Sequence, residues 1–325
     1  MNHRSGTSAA LAAIALAVAG CSGSSSSGVG NNNAAAGSAT GTLGLYLTDA
    51  PRTDVAEIWL EIAAINVKPA GSGPALEFDL DPDLSVELLG LTPDSAATLL
   101  DDVDVPAGQY DWIELVVNAE FDNIPDSYVI EDVGGGQVEL RVPSSSVRLV
   151  SGFTITADRA TRFMIDWNAR KGLVHPPGQP GYMLKPAFRI IDMTEYGRLS
   201  GTVAMDLITP ETADNQCNAD SPAADPDVGN VVYIYLDNGA VPDDIDGIDS
   251  MTDPNLDPVA TADVSQDSSG NYTYSTILTP GLYTVAFTCQ GGLDDPAADD
   301  AILFTPGADI EIVTDQETVV DFTSS

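Results

Sequence analysis

The stretch DDIDGID, Asp243 to Asp249, packs four carboxylates into seven residues. Hard oxygen ligands crowded into one loop suit Ca²⁺, the one cofactor to which the composition points. Measured against a twelve-residue calcium loop, Asp244, Asp246 and Gly247 fall at positions 3, 5 and 6 and Asp253 at position 12, although Pro242 takes position 1 and no helices flank the segment. The candidate metal set is therefore Asp243, Asp244, Asp246, Asp249 and Asp253, with an ordinary solvated Asp-Gly turn as the alternative. Nitrogen chemistry is sparse. Beyond residue 21 there is one histidine, His175, which excludes a multi-histidine metal site and leaves a Ser-His-Asp triad only with His175 as its base. It precedes Pro176 and Pro177, as an exposed loop histidine would. A glycosidase pair of carboxylates is open in a chain with 49 acids, but nothing singles out two of them.

Two further groups could bind rather than react. Trp59, in a strand reading of VAEIWLEIAAINV, shares a face with Glu57 and Glu61 and not with Ile58 and Ile62. An aromatic on a polar face is a binding platform, and core packing is the alternative. The basic strip of Arg159, Arg162, Arg170, Lys171, Lys185 and Arg189 could hold an anionic ligand such as a polysaccharide, or face an acidic neighbour within the same chain. Nine of the twelve Lys and Arg lie between Arg141 and Arg198, whereas residues 199–325 have none among 24 acids. That asymmetry marks a boundary near Arg198. The formal charge of −37 excludes binding to nucleic acid or anionic headgroups by repulsion, and fits solubility in a salty medium.

The cysteines divide by environment. Cys21 follows an uncharged apolar run from Ala9 to Ala19, behind His3 and Arg4, which is the size of a secretory h-region and too short to span a bilayer. Val18, Ala19 and Gly20 before Cys21 resemble the lipobox of bacterial lipoproteins. The resemblance implies cleavage before Cys21, lipidation of its thiol and a stable anchor of more than one acyl chain. Ser22 after it resembles the outer-membrane sorting choice of a Gram-negative envelope. Residues 22–41 are Ser, Gly, Asn, Ala and Thr with one Val, too polar to offset their ordering entropy, so they are expected to form a disordered tether. Cys217 and Cys289 remain, and an exported chain with two thiols invites one disulfide, with two free thiols as the alternative.

The elements that must position these residues are strands. From Leu43 to Ile191, short apolar runs are broken by Gly, Pro and Asp, the pattern of an all-β sandwich or barrel. TPDSAATLL is the best candidate for a short helix, with Thr92 as N-cap and Pro93 at the first position. VAEIWLEIAAINV fits either strand or helix spacing. LYLTDAP, VPAGQYDWIELV, ELRVPSSSVRL, FMIDWNARKGLV and YMLKPAFRIID, in that order, resemble the domain of unknown function family 4382 of secreted bacterial lipoproteins. The resemblance implies a β-sandwich, an envelope location and no established activity. Asp166-Trp167-Asn168 departs from the Asp-Phe-Asp expected of the family there. From Arg198 onward, GRLSGTV, NVVYIYLDN, GNYTYSTILTPGLYTVAFTC and IEIVTDQETVVDFT alternate as strands, and their order resembles the carboxypeptidase-regulatory-like sandwich related to transthyretin.

The expectation is an all-β chain of two β-sandwich domains in tandem behind a disordered lipoprotein tether. Residues 1–20 are a signal peptide, 21–41 the lipidated Cys and linker, 42–196 the first sandwich and 197–325 the second. The expected role is binding, adhesion or structural display at the cell envelope, with the membrane as partner through the lipid and a polysaccharide or another envelope protein as ligand. A carboxylate-dependent hydrolase of envelope or extracellular polysaccharide and an envelope-assembly subunit are the rivals.

Overall fold

The computed structural model of the chain describes residues 39–50, 55–131, 133–149, 152–208, 217, 229–246 and 257–324. The signal segment, Cys21, most of the tether, Asp249 and Asp253 lie outside them. Among the described residues strands dominate, and the two α-helices, Ala169–Gly172 and Met205–Ile208, are single turns. Among the described residues, no helix is long and apolar enough to cross a membrane.

The first sandwich pairs a four-stranded sheet with a nine-stranded one. The smaller sheet runs Phe188–Asp192, Ala160–Asn168, Thr40–Ala50, Ala97–Pro106, with Thr40–Ala50 parallel to Ala160–Asn168 and antiparallel to Ala97–Pro106. The larger sheet is centred on Glu57–Pro69 and Gly108–Val117. Leu43, Leu45 and Leu47 from one sheet and Ile58, Leu60 and Ile62 from the other form one core, each fully buried. The alternation at 58, 60 and 62 makes VAEIWLEIAAINV a strand. A register shift between Ile62 and Ala64 then lets Ile65 and Val67 take over the inner face.

TPDSAATLL is not a helix. Ser95 N–H donates to the Thr92 carbonyl at 3.0 Å and the two hydroxyls meet at 2.8 Å, closing one turn. From Ala97 the chain pairs with Thr40–Ala50, and Leu99 and Leu100 enter the core as strand residues. Tertiary burial overrides the local helix signal here.

The second sandwich has two four-stranded sheets. One is Ser265–Gln266, Tyr272–Leu278, Gly197–Val203, Glu317–Val319; the other is Ala260–Asp263, Val231–Leu236, Gly281–Thr288, Ala308–Ile312. Leu199, Val232, Ile234, Tyr274, Val285 and Phe287 fill the space between them. The strand Val231–Leu236 is buried on both faces. Val231, Tyr233 and Tyr235 point away from that core and pack with Ile245 and Ala286 under the loops carrying Ala240 and Phe304. Cys217 and Cys289 are joined as a disulfide, with Cα atoms 4.9 Å apart.

Both sandwiches turn between their sheets in the same way. The Tyr110 hydroxyl donates to the Pro106 carbonyl at 2.7 Å, where the chain leaves one sheet for the other. The Tyr283 hydroxyl donates to the Thr279 carbonyl at 2.9 Å at the corresponding crossing. A seam joins the two bodies, with Met164 and Ile191 of the first against Ile277 of the second.

Candidate functional site

Three places gather the residues with chemistry. The first is the outer face of the nine-stranded sheet. Trp59 lies outside the core, half-buried, its indole N–H donating to Glu57 Oε2 at 2.6 Å and its ring stacked on Tyr128 with centroids 6.1 Å apart. Trp112 lies on the same outer face, because its neighbours Ile113 and Leu115 point inward, and Arg148 covers its ring at 4.2 Å. Sequence reasoning found Trp59 and missed Tyr128 and Trp112. The parity of Trp112 against Ile113, Leu115 and Val117 would have placed it outward.

The second place is the seam, where the basic strip divides. The helical turn Ala169–Gly172 starts under two side-chain caps: Asp49 Oδ1 accepts the Ala169 N–H at 3.0 Å, and Asn168 Oδ1 accepts that of Lys171 at 3.0 Å. This turn sets Arg170 deep in the seam. It donates to the Gly291 carbonyl at 2.5 Å and approaches Asp263 at 3.4 Å, both in the second sandwich. Lys171 pairs with Asp257, and Arg189 pairs with Asp166 at 2.6 Å and reaches Thr276 at 3.3 Å. Asn168 donates to Thr261 at 3.3 Å, so the position departing from the expected Asp-Phe-Asp serves the seam through its amide. Arg170, Lys171 and Arg189 therefore meet the acidic module rather than forming an open surface for an anionic ligand. Arg162 pairs with Asp102 of its own sandwich, at 2.9 Å through Nε, and Lys185 is exposed. A cleft of about 500 Å³ opens beside the seam between Phe188, Arg189, Leu236 and Val259.

Electrostatics at the seam follow from burial. Desolvation raises Asp263 to about 6, with Arg170 pulling it back down. His175, by contrast, lies exposed in its loop and stacks on Tyr182 at 4.6 Å.

The third place is an acidic cluster under the second sandwich's outer loops. One carboxylate oxygen from each of Asp244, Asp294 and Asp300 lies within 4.8 Å of the others. The cluster sits over the two tyrosines of Val231–Leu236, which need partners at their buried tips. Tyr233 donates to Asp294 Oδ2, and Tyr235 donates to the Asp243 carbonyl at 2.5 Å. The Ile245 N–H donates to Asp294 Oδ1 at 3.2 Å, and the Asp300 N–H to Asp244 Oδ2 at 2.5 Å. Burial, reinforced by Asp294 and Asp243, raises Asp244 to about 7, and burial raises Asp294 to about 6.

Of the expected metal-binding aspartates that lie among the described residues, Asp243, Asp244 and Asp246, only Asp244 joins this cluster. The backbone of Asp243 serves Tyr235, and the Asp246 N–H donates to Asp257 at 3.2 Å. The other two members lie about 50 residues along the chain, in LDDPAADD, a second acidic run just after Cys289 that was the available signal.

Residues 40–186 match the model of the domain of unknown function DUF4382. No curated protein matches the chain. Among solved structures, a leucine-rich repeat protein from Bacteroides thetaiotaomicron is 10% identical, with 88% of this chain and 27% of that one covered, at a TM-score of 0.22. The Bacillus anthracis TIE protein is 12% identical, with 87% and 34% covered, at 0.18. The minor pilin of Streptococcus agalactiae is 11% identical, with 86% and 94% covered, at 0.17. The chain thus spans about a quarter and a third of the first two, and at these scores the likeness carries no conclusion.

Proposed function

We propose that the chain is a cell-envelope protein, held to the membrane by lipid on Cys21, whose two sandwiches together present a binding or adhesion face. In a Gram-negative cell that membrane is the outer one. The observation that supports a binding role is the stacked Trp59–Tyr128 pair, held on the solvent side of a sheet by the Glu57 carboxylate. A flat aromatic pair ringed by hydrogen-bonding groups suits the apolar faces and hydroxyls of a sugar, so a polysaccharide is the ligand class preferred over an envelope protein. The module resembling a carboxypeptidase-regulatory-like sandwich serves as a stiffening partner, since Arg170, Lys171 and Arg189 tie it to the first.

Cell fractionation of the Cys21→Ser chain tests the address, and a glycan array with the released protein tests the face. The Cys21→Ser protein is expected in the soluble fraction, and Trp59→Ala is expected to weaken glycan capture at least about tenfold, as for a buried aromatic contact. A Cys21→Ser protein that stays with membranes without detergent refutes the anchor. Glycan capture indifferent to Trp59→Ala refutes the face.

A further inference from the structure

We propose that Asp244, Asp294 and Asp300 form a Ca²⁺ site on the outer side of the second sandwich. The carboxylate oxygens lie within 4.8 Å of one another. Ca²⁺ binds oxygen at about 2.3–2.6 Å, so two of its ligands stand at most about 4.6–5.2 Å apart, and one ion can reach all three groups. A second observation is independent of that spacing. Asp244 is 2% exposed, and its Oδ1 is buried with no hydrogen-bond partner, while Oδ2 already takes the Asp300 N–H. A buried carboxylate oxygen left without a donor carries a large desolvation cost, which a bound cation relieves.

The rest of the shell points the same way. Asp294 is 5% exposed and held by Tyr233 and Ile245, whose hydrogen bonds fix its carboxylate toward the cluster, as neighbours that hold a metal's ligands in place do. Ca²⁺ fits better than Mg²⁺, because Mg²⁺ bonds at about 2.0–2.1 Å, keeps several waters and uses one or two carboxylates. Ligation would also pin the segment following Gly291, whose carbonyl Arg170 grips from the first sandwich, so the ion would reach the seam through three residues of backbone.

Isothermal titration of Ca²⁺ into the chelator-treated full chain, at physiological ionic strength, tests the proposal. One saturable ion per chain is expected, with Mg²⁺ binding at least about tenfold more weakly. Asp300→Asn, at a half-exposed position, is expected to lower affinity at least about tenfold, since even outer-shell changes cost that much. Asp299→Asn, its exposed neighbour, is expected to leave affinity unchanged and so separates a site from the general attraction of a polyanion. Terbium luminescence sensitised by Tyr233 gives a readout on the unmutated chain and is expected to fall as Ca²⁺ displaces the probe. No saturable uptake below about 10 mM, equal effects of the two substitutions, equal affinity for Mg²⁺, or terbium emission insensitive to Ca²⁺ would each overturn it.

Discussion

Arg170 and Asp263 meet across the seam in a largely buried pair, and their balance sets a pH dependence. Burial lifts Asp263 to about 6 from an ordinary value of 3.8, so the folded chain holds this proton more tightly than the unfolded one. The stability it contributes is full below about 3.8 and is lost as pH rises through about 6. Urea unfolding of the wild type should therefore lose stability from this group between pH 4.5 and 7. Asp263→Asn should remove that part of the loss, gaining on the wild type as pH rises. A constant difference between the two proteins across that range would contradict the assignment. At this scale the sequence was legible only where neighbours are local. The outward side of Trp59 followed from alternation, whereas Asp244 meeting Asp294 and Asp300 depends on two loops converging over Tyr233 and Tyr235, which no spacing within DDIDGID encodes.

The elements were legible where one face meets water and the other meets core. Glu57–Pro69 alternates cleanly up to its register shift, and GNYTYSTIL and GLYTVAFT are strands as their patterns require. Ala160–Asn168 hides the same signal, because it is buried on both faces from Phe163 onward, one toward the first core and one toward the seam. The helix expected at TPDSAATLL failed because an edge position beside Thr40–Ala50 was open to those leucines. The paired corners offer a test of element geometry. VPAGQY and TPGLY place a tyrosine four residues after the carbonyl that it binds, at 2.7 and 2.9 Å. Tyr110→Phe and Tyr283→Phe should each cost about 0.5–1.5 kcal/mol in chemical denaturation, the net worth of one hydrogen bond. A Tyr→Phe variant as stable as wild type would mean that the corner is held by packing alone.

At the largest scale, the described residues form a pair of sandwiches bound through polar groups as well as through Met164, Ile191 and Ile277. The charge asymmetry around Arg198 announced a boundary between a module that carries nearly all the cations and one that carries none beyond that residue. It could not say which cations would cross, since that depends on the turn at Asn168 that buries Arg170. Arg170→Met should cost on the order of 3–5 kcal/mol by stranding its buried partners, and should split calorimetric unfolding into two transitions. Arg162→Met, whose partner Asp102 lies in the same sandwich, should leave a single transition with unchanged midpoint. Thr40–Ala50 has a further consequence, which is mechanical. As the first described strand it is clamped between Ala97–Pro106 and Ala160–Asn168, in register with the latter from Thr42 to Ala50. Tension entering at residue 39 along that strand would load both flanking ladders in shear at once, since their bonds run across the strand. The strand must then slide as a whole instead of peeling bond by bond, which makes the first described strand a point of high resistance to a pull from its N-terminal side.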